Sequence, residues 1–223
     1  VPVVGSGIVS STFDCADPDA RADGLAAAAR AVRAGQLVVL PTDTVYGLGC
    51  DAFSAPAVRS LLAAKNRGPD MPVPVLVGSW STIDGLVVGV PDAARSLIEA
   101  FWPGGLSLVL SHAPSLSWDL GMTKGTVMLR MPLHPVALEL LRDVGPMAVS
   151  SANTSGAPPA ADAAEAAAQL GDQVTVYLDG GPSGTPVAST IVDLTADEPR
   201  ILREGAVPSA EISEVLGREI VSG

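Results

Sequence analysis

The 223-residue chain is 48% apolar with a formal charge of −11, enough apolar residues to pack the core of one large or two small domains. Its acidity argues against broad electrostatic adhesion to nucleic acid, leaving open a local basic patch with weak RNA contact. Cys15 and Cys50 lack CxxC spacing and histidine neighbours, against a zinc site or disulfide framework. No apolar run nears the roughly 20 residues that span a bilayer, so a cytoplasmic protein without membrane contact is expected.

In chain order, residues 1–18 are expected to be flexible or peripheral. An Ala-rich helix runs over 21–34 and stops at Gly35. The apolar run 36–40 reads as a buried strand ended by Pro41. A helix over 55–65, capped by Ser54, carries Lys65 and Arg67 at its C-terminal end. Strands are expected over 73–77, 106–110, 126–131, 147–150, 174–178 and 190–194, and helices over 92–101, 135–142, 161–170 and 209–216. This interleaving predicts a single α/β domain with a mixed sheet, its core over about 21–207. The Gly/Pro-rich stretch 180–186 is the candidate mobile loop.

Several segments carry chemistry. PTDTVYGLG from Pro41 follows a strand and offers the hydroxyls of Thr42 and Thr44, the Asp43 carboxylate, the Tyr46 phenol and the flexible glycines Gly47 and Gly49. It is either a strand-end ligand loop or a turn bonded to its own backbone. Lys65 and Arg67 form a tight cationic pair suited to phosphates, or a solvated helix end favoured by the helix dipole. Arg130, in an apolar strand, needs a structural ion pair or a pocket. SSANTSG from Ser150 offers Ser151 and Asn153 as neutral donors at a strand end, or a capped turn. The glycines give neither a Walker loop nor GxGxxG. His112 and His134 lack a triad signature, and no GxSxG elbow is present.

Taken in order, PTDTVYGLG, KNRGPDMPVPVLV, FWPGGLSLVL, GTVMLRMPLHP, AVSSANTSG, and STIVDL followed by ILREGAV resemble the YrdC-type threonylcarbamoyl-AMP synthase family over about residues 35–207. The resemblance implies a twisted, open mixed sheet flanked by helices around a concave, positively charged cavity. It implies an enzyme that joins L-threonine, bicarbonate and ATP into threonylcarbamoyl-AMP and pyrophosphate, with Mg²⁺ carried on ATP and no direct protein ligation of the metal. A separate transferase would pass the product's threonylcarbamoyl group to a tRNA adenosine.

By position, the resemblance makes Lys65, Arg67, Ser151 and Asn153 the catalytic and nucleotide-binding set. Thr126, Pro159 and Arg203 are added as ATP contacts, and Thr42, Arg130 and Ser189 as threonine contacts. Tyr46 lies beside them without an assigned role, and Asp43 is a candidate for water-mediated help to Mg²⁺. Many members carry a lysine where this chain has Met71, for which Lys124 is the candidate compensating cation. The chain resembles the short, single-domain members. Alanine at Lys65 or Arg67 is expected to abolish most synthesis without unfolding. Two rivals stand beside this reading: a non-catalytic module of the same fold for structured or double-stranded RNA, and the carbamoyl-adenylating domain of hydrogenase maturation.

Overall fold

The computed structural model describes residues 10–184 and 187–222. Among these described residues eleven strands form one sheet: β1 (Ser11–Asp14), β2 (Val38–Leu40), β3 (Gly47–Asp51), β4 (Val75–Leu76), β5 (Leu106–Ser111), β6 (Thr126–Arg130), β7 (Met147–Ser151), β8 (Val176–Asp179), β9 (Thr190–Asp193), β10 (Arg200–Arg203) and β11 (Val221–Ser222). Their spatial order is β1-β8-β2-β3-β7-β4-β6-β5-β9-β10-β11. The pairing is mixed, as expected: β3 runs antiparallel to β2 and β7, whereas β5 runs parallel to β9.

Among the described residues six α-helices flank the sheet: α1 (Pro18–Arg33), α2 (Ala55–Ala64), α3 (Asp92–Phe101), α4 (Pro135–Val144), α5 (Ala163–Leu170) and α6 (Ser209–Leu216). α1 begins three residues before the expected start because Asp17 accepts from the Ala20 N–H and Pro18 occupies the first turn, where its missing N–H is harmless. Residues 11–14 form an edge strand parallel to β8; the part of the N-terminal expectation that falls on residues 1–9 lies outside the described residues.

Side-chain parity assigns the two faces of the sheet. Val39, Leu48, Cys50, Val75, Ala148, Leu106, Leu108, Val127, Leu129 and Val192 belong to one core, shared with α2, α3, α5 and α6. Val38, Leu40, Leu76, Met147 and Val149 point the other way, onto α1 and α4. Those two helices cover only part of that face. Met128 and Arg130 on β6, Ser107 on β5 and Ile191 on β9 share its parity but line an open cavity. The cavity is therefore the stretch of sheet that α1 and α4 leave uncovered.

The first correction to the sequence reading falls on Gly47 and Gly49. They are not flexible loop residues but buried members of β3. A Cβ on Gly47 would lie 2.6 Å from Val149 Cγ1, and one on Gly49 would lie 2.9 Å from Met147 Cε. The glycines let β3 pass under the side chains of β7. Gly47→Ala should destabilise the protein by about 1–3 kcal/mol through overpacking, read as a lower urea midpoint at constant m-value. An unchanged midpoint would show that Val149 yields without cost.

Candidate active site

α2 delivers the cationic pair. It is closed by Lys65 at the C-cap, Asn66 at φ 50° and two backbone bonds, Asn66 N–H to Ala63 O and Arg67 N–H to Leu62 O. This is a Schellman-type end, and asparagine is one of the few residues with a Cβ that tolerates the left-handed position. The reversal at Asn66 sends Lys65 and Arg67 to different places.

Lys65 is completely buried, against the solvated helix-end reading. Its Nζ donates to Ser151 O at 2.6 Å, to Ser151 Oγ at 3.3 Å, and to both Asn153 O and Asn153 Oδ1. Asn153 Oδ1 also accepts from Ser151 Oγ at 2.6 Å, and Asn153 Nδ2 donates to Ala157 O at 2.6 Å. The ammonium thus ties down the turn that follows β7. Lys65 and Asn153 stand behind the cavity wall, whereas Ser150 and Ser151 form it.

Arg67 faces the cavity. One bond, from NH1 to Ser150 Oγ at 3.2 Å, holds it, and its buried Nε has no partner. A guanidinium carries five N–H donors and cannot accept, so most of Arg67's donor capacity is uncommitted.

Burial, with the neighbouring Arg67 charge, lowers the Lys65 pKa to about 8. The ammonium has three hydrogens and the amine two, so deprotonation loosens the Ser151–Asn153 turn. Activity should therefore fall as pH rises through about 8, and Lys65→Arg should flatten that limb of the profile. The stability term has the opposite sign. An unfolded lysine titrates near 10.4, so between the two values the unfolded chain binds more protons and this residue adds stability as pH rises. A kcat profile that stays flat through pH 9 would contradict the assignment.

Arg130 is both ion-paired and pocket-lining, so the two alternatives coexist. Nε donates to Gly104 O at 2.8 Å, NH1 to Thr44 Oγ1 at 2.8 Å, and NH2 to Asp43 Oδ1 at 2.6 Å. The Arg130 and Asp43 side chains are only 8% and 16% exposed. Burial lowers the Arg130 pKa, Asp43 opposes the shift and Arg203 adds to it. Asp43 Oδ1 also accepts from the Leu133 N–H at 2.8 Å, which commits it to holding Arg130. Three of the guanidinium's five hydrogens are accounted for, leaving two, the number a carboxylate grips side by side.

Thr42 Oγ1 donates to Val45 O at 2.7 Å and lies 3.2 Å from Thr44 Oγ1. Across the cavity, Arg203 clamps Ser189 through two bonds to its carbonyl, at 3.1 and 2.7 Å, and one to its hydroxyl at 3.2 Å. Tyr46 is fully buried and lines the cavity. Its hydroxyl donates to Gly181 O at 2.6 Å and accepts from the Gly180 N–H at 3.0 Å. The phenol therefore fixes the start of the expected mobile loop. Burial raises its pKa, keeping it protonated.

The cavity has a volume of about 330 Å³. Among the described residues its lining includes Arg67, Arg130 and Arg203 and no carboxylate. Thr42, Tyr46, Ser151, Pro159 and Ser189 join them there, as does Thr44. Thr126 does not: it opens β6 opposite Ser111, and its hydroxyl donates to Thr123 O at 2.8 Å. Met71 is 48% exposed, and neither it nor Lys124 lines the cavity, so Lys124 supplies no compensating charge there. Neither histidine lines it; His134 occupies the N-cap position of α4 without a side-chain cap bond. Ser107 and Met128 were missed from sequence. The available signal was parity, since Met128 lies two residues before Arg130 and Ser107 interrupts the apolar run of β5.

A family model described as Sua5/YciO/YrdC, "Telomere recombination", matches residues 30–205. The chain belongs to this family. A Mycobacterium tuberculosis (strain H37Rv) protein provisionally named threonylcarbamoyl-AMP synthase is 65% identical over 214 residues, covering 96% of this chain and 99% of the relative. The Bacillus subtilis threonylcarbamoyl-AMP synthase is 39% identical over 86% of this chain, which spans 56% of that longer protein. Pyrococcus abyssi Sua5, solved with L-threonine, superposes with a TM-score of 0.88 at 34% identity over 96% of this chain and 62% of that one. The open mixed sheet with flanking helices is thus the architecture of the family.

Proposed function

We propose that the chain is an L-threonylcarbamoyladenylate synthase, a nucleotidyltransferase that condenses L-threonine, bicarbonate and ATP into threonylcarbamoyl-AMP and pyrophosphate. The product would serve threonylcarbamoyladenosine modification of tRNA through a separate transferase. The observation that carries this reading is Arg130, a buried guanidinium with two spare N–H groups on a cavity lined by hydroxyls and two further arginines. The names of the relatives favour catalysis over an RNA-binding module.

In this mechanism the threonine carboxylate binds Arg130, with Thr42 and Ser189 beside it. The threonine amine adds to the carbon of bicarbonate, and loss of water leaves a carbamate. A carbamate oxygen then attacks the α-phosphorus of ATP, and the bond to pyrophosphate breaks as the new P–O bond forms. Alignment of two anions and stabilisation of the departing charge do the catalytic work, and no protein nucleophile is needed. Arg67 and Arg203 supply positive charge, Ser150, Ser151 and Pro159 shape the nucleotide wall, and Lys65 with Asn153 fixes that wall from behind.

Mg²⁺ would enter on the triphosphate. The lining supplies hydroxyls and no carboxylate, and Asp43 is committed to Arg130, a donor set that fits an ion held by phosphate oxygens and waters. Pyrophosphate release by the purified protein tests the reading. Release that requires both L-threonine and bicarbonate, with L-serine a poor substitute, is expected. No release despite ATP binding would reject it in favour of the structured-RNA module.

A further inference from the structure

We infer that Ser107, which lies in the FWPGGLSLVL block without an assigned role, is a positioning residue that sets the direction of the Ser189 hydroxyl and thereby lets the cavity select a hydroxylated amino acid. This inference rests on the synthase reading above.

Ser107 lies on β5 and Ser189 just before β9, which pairs with β5 in parallel. Their hydroxyl oxygens are 2.8 Å apart, and the residues are 2% and 8% exposed. A hydroxyl has one hydrogen and two lone pairs, whereas a guanidinium can only donate. Arg203 therefore donates into Ser189 Oγ and occupies one of its lone pairs. Among the described residues, Ser189 Oγ is the one protein acceptor recorded for the Ser107 hydroxyl. Either hydroxyl of the pair can donate to the other; Ser107 is taken as the donor because it is the more deeply buried of the two and a buried hydroxyl left undonated is costly, so Ser107 takes the second lone pair of Ser189.

Ser189 is then saturated as an acceptor. With Ser107 as the donor of that pair, the Ser189 hydrogen has no further protein acceptor recorded among the described residues and is left for the cavity that both serines line. The Ser107–Ser189–Arg203 chain thus converts an ambivalent hydroxyl into a fixed donor.

The acceptor it meets follows from the neighbouring groups. Gly104 O accepts from Arg130 Nε, so the turn just before β5 seats the Arg130 guanidinium and, three residues on, the strand presents Ser107. With the amino-acid carboxylate on Arg130, the remaining oxygen of threonine is its side-chain hydroxyl, and Ser189 donates to it. A site that directs a hydrogen bond to a ligand hydroxyl discriminates against the analogue lacking it, because its polar group is left unpaired.

The test compares wild type, Ser107→Ala, Ser107→Thr, Ser189→Ala and the double alanine variant with L-threonine and with the near-isosteric L-valine. Ser107→Ala should lower the threonine-over-valine ratio of kcat/KM about tenfold, equivalent to about 1.4 kcal/mol. The loss should fall on threonine KM while ATP KM and thermal stability hold. Ser107→Thr should restore the ratio, and the double variant should match Ser189→Ala alone. Wild-type selectivity in Ser107→Ala, equal losses for both amino acids, or additive effects in the double variant would overturn the inference. Should Ser107→Ala fail to fold, Ser107→Cys, a near-isostere that donates weakly, supplies the same comparison. Failure of wild type to turn over threonine would instead reject the synthase reading.

Discussion

Lys65→Ala should lose both activity and fold stability, and Arg67→Ala should lose activity alone. This separates two cations that look equivalent in sequence, where both substitutions were expected to spare the fold. The Lys65 ammonium is the one recorded partner of Asn153 O and a second donor to Ser151 O and Asn153 Oδ1, which also accept from the Asn153 N–H and the Ser151 hydroxyl. Stranding the buried Asn153 carbonyl costs about 1–3 kcal/mol, and loss of the buried alkyl stem adds a cavity. A destabilisation of about 3 kcal/mol or more is expected, visible as a clear fall in Tm. Arg67 has one modest bond to protein, so its removal should leave Tm within a few degrees. Removing one preorganised donor to a developing anion lowers kcat by about 10²–10³-fold. Thermal melts and pyrophosphate-release kinetics on both variants check this. An unfolded Arg67→Ala, or a Lys65→Ala as stable as wild type, would show the roles to be reversed.

Asp43→Ala should weaken threonine binding without touching ATP. The Asp43 carboxylate holds Arg130 NH2 and the Leu133 N–H on one oxygen, and its removal strands a guanidinium that is 8% exposed. Breaking such a pair from one side costs about 2–3 kcal/mol of stability. It also lets Arg130 turn from the geometry that leaves two N–H groups for the ligand, so threonine Kd should rise at least tenfold while ATP Kd holds. Titration calorimetry with each ligand separates the two effects. The alternative role for Asp43, water-mediated help to Mg²⁺, makes the opposite forecast: impaired ATP binding recovered by raised Mg²⁺, with threonine affinity unchanged. Asp43→Ala combined with Arg130→Lys should be less than additive, as expected for one coupled unit.

Much of this architecture was legible in the sequence because the local signals were strong. Helix α3 over 92–101 and helix α6 over 209–216 have the expected bounds, and Ser54 caps α2. The misses have a common cause. β3 reads as a loop because Gly47 and Gly49 carry no strand propensity, and their place in the sheet is set by the tertiary crowding of Val149 and Met147. Strands β1 and β10 sit at or near the sheet edges, where mostly exposed residues give little apolar pattern.

The site was legible as a set of residue types but not as layers. Sequence spacing put Lys65 beside Arg67 and Ser151 beside Asn153. The left-handed Asn66 then divides the first pair between the protein interior and the cavity. Ser107 was hidden because its significance lies in a hydroxyl 82 positions away along the chain, a contact created only by the parallel pairing of β5 with β9.

As a threonylcarbamoyladenylate synthase, the protein joins threonine, the carbon of bicarbonate and an adenylate. Mass spectrometry of a reaction containing ATP, Mg²⁺, L-threonine and carbon-13-labelled bicarbonate tests it most directly. An adenylate that contains threonine and carries the bicarbonate label, formed in step with pyrophosphate, is expected. A threonine adenylate without the label, or no adenylate while ATP remains intact, would contradict it.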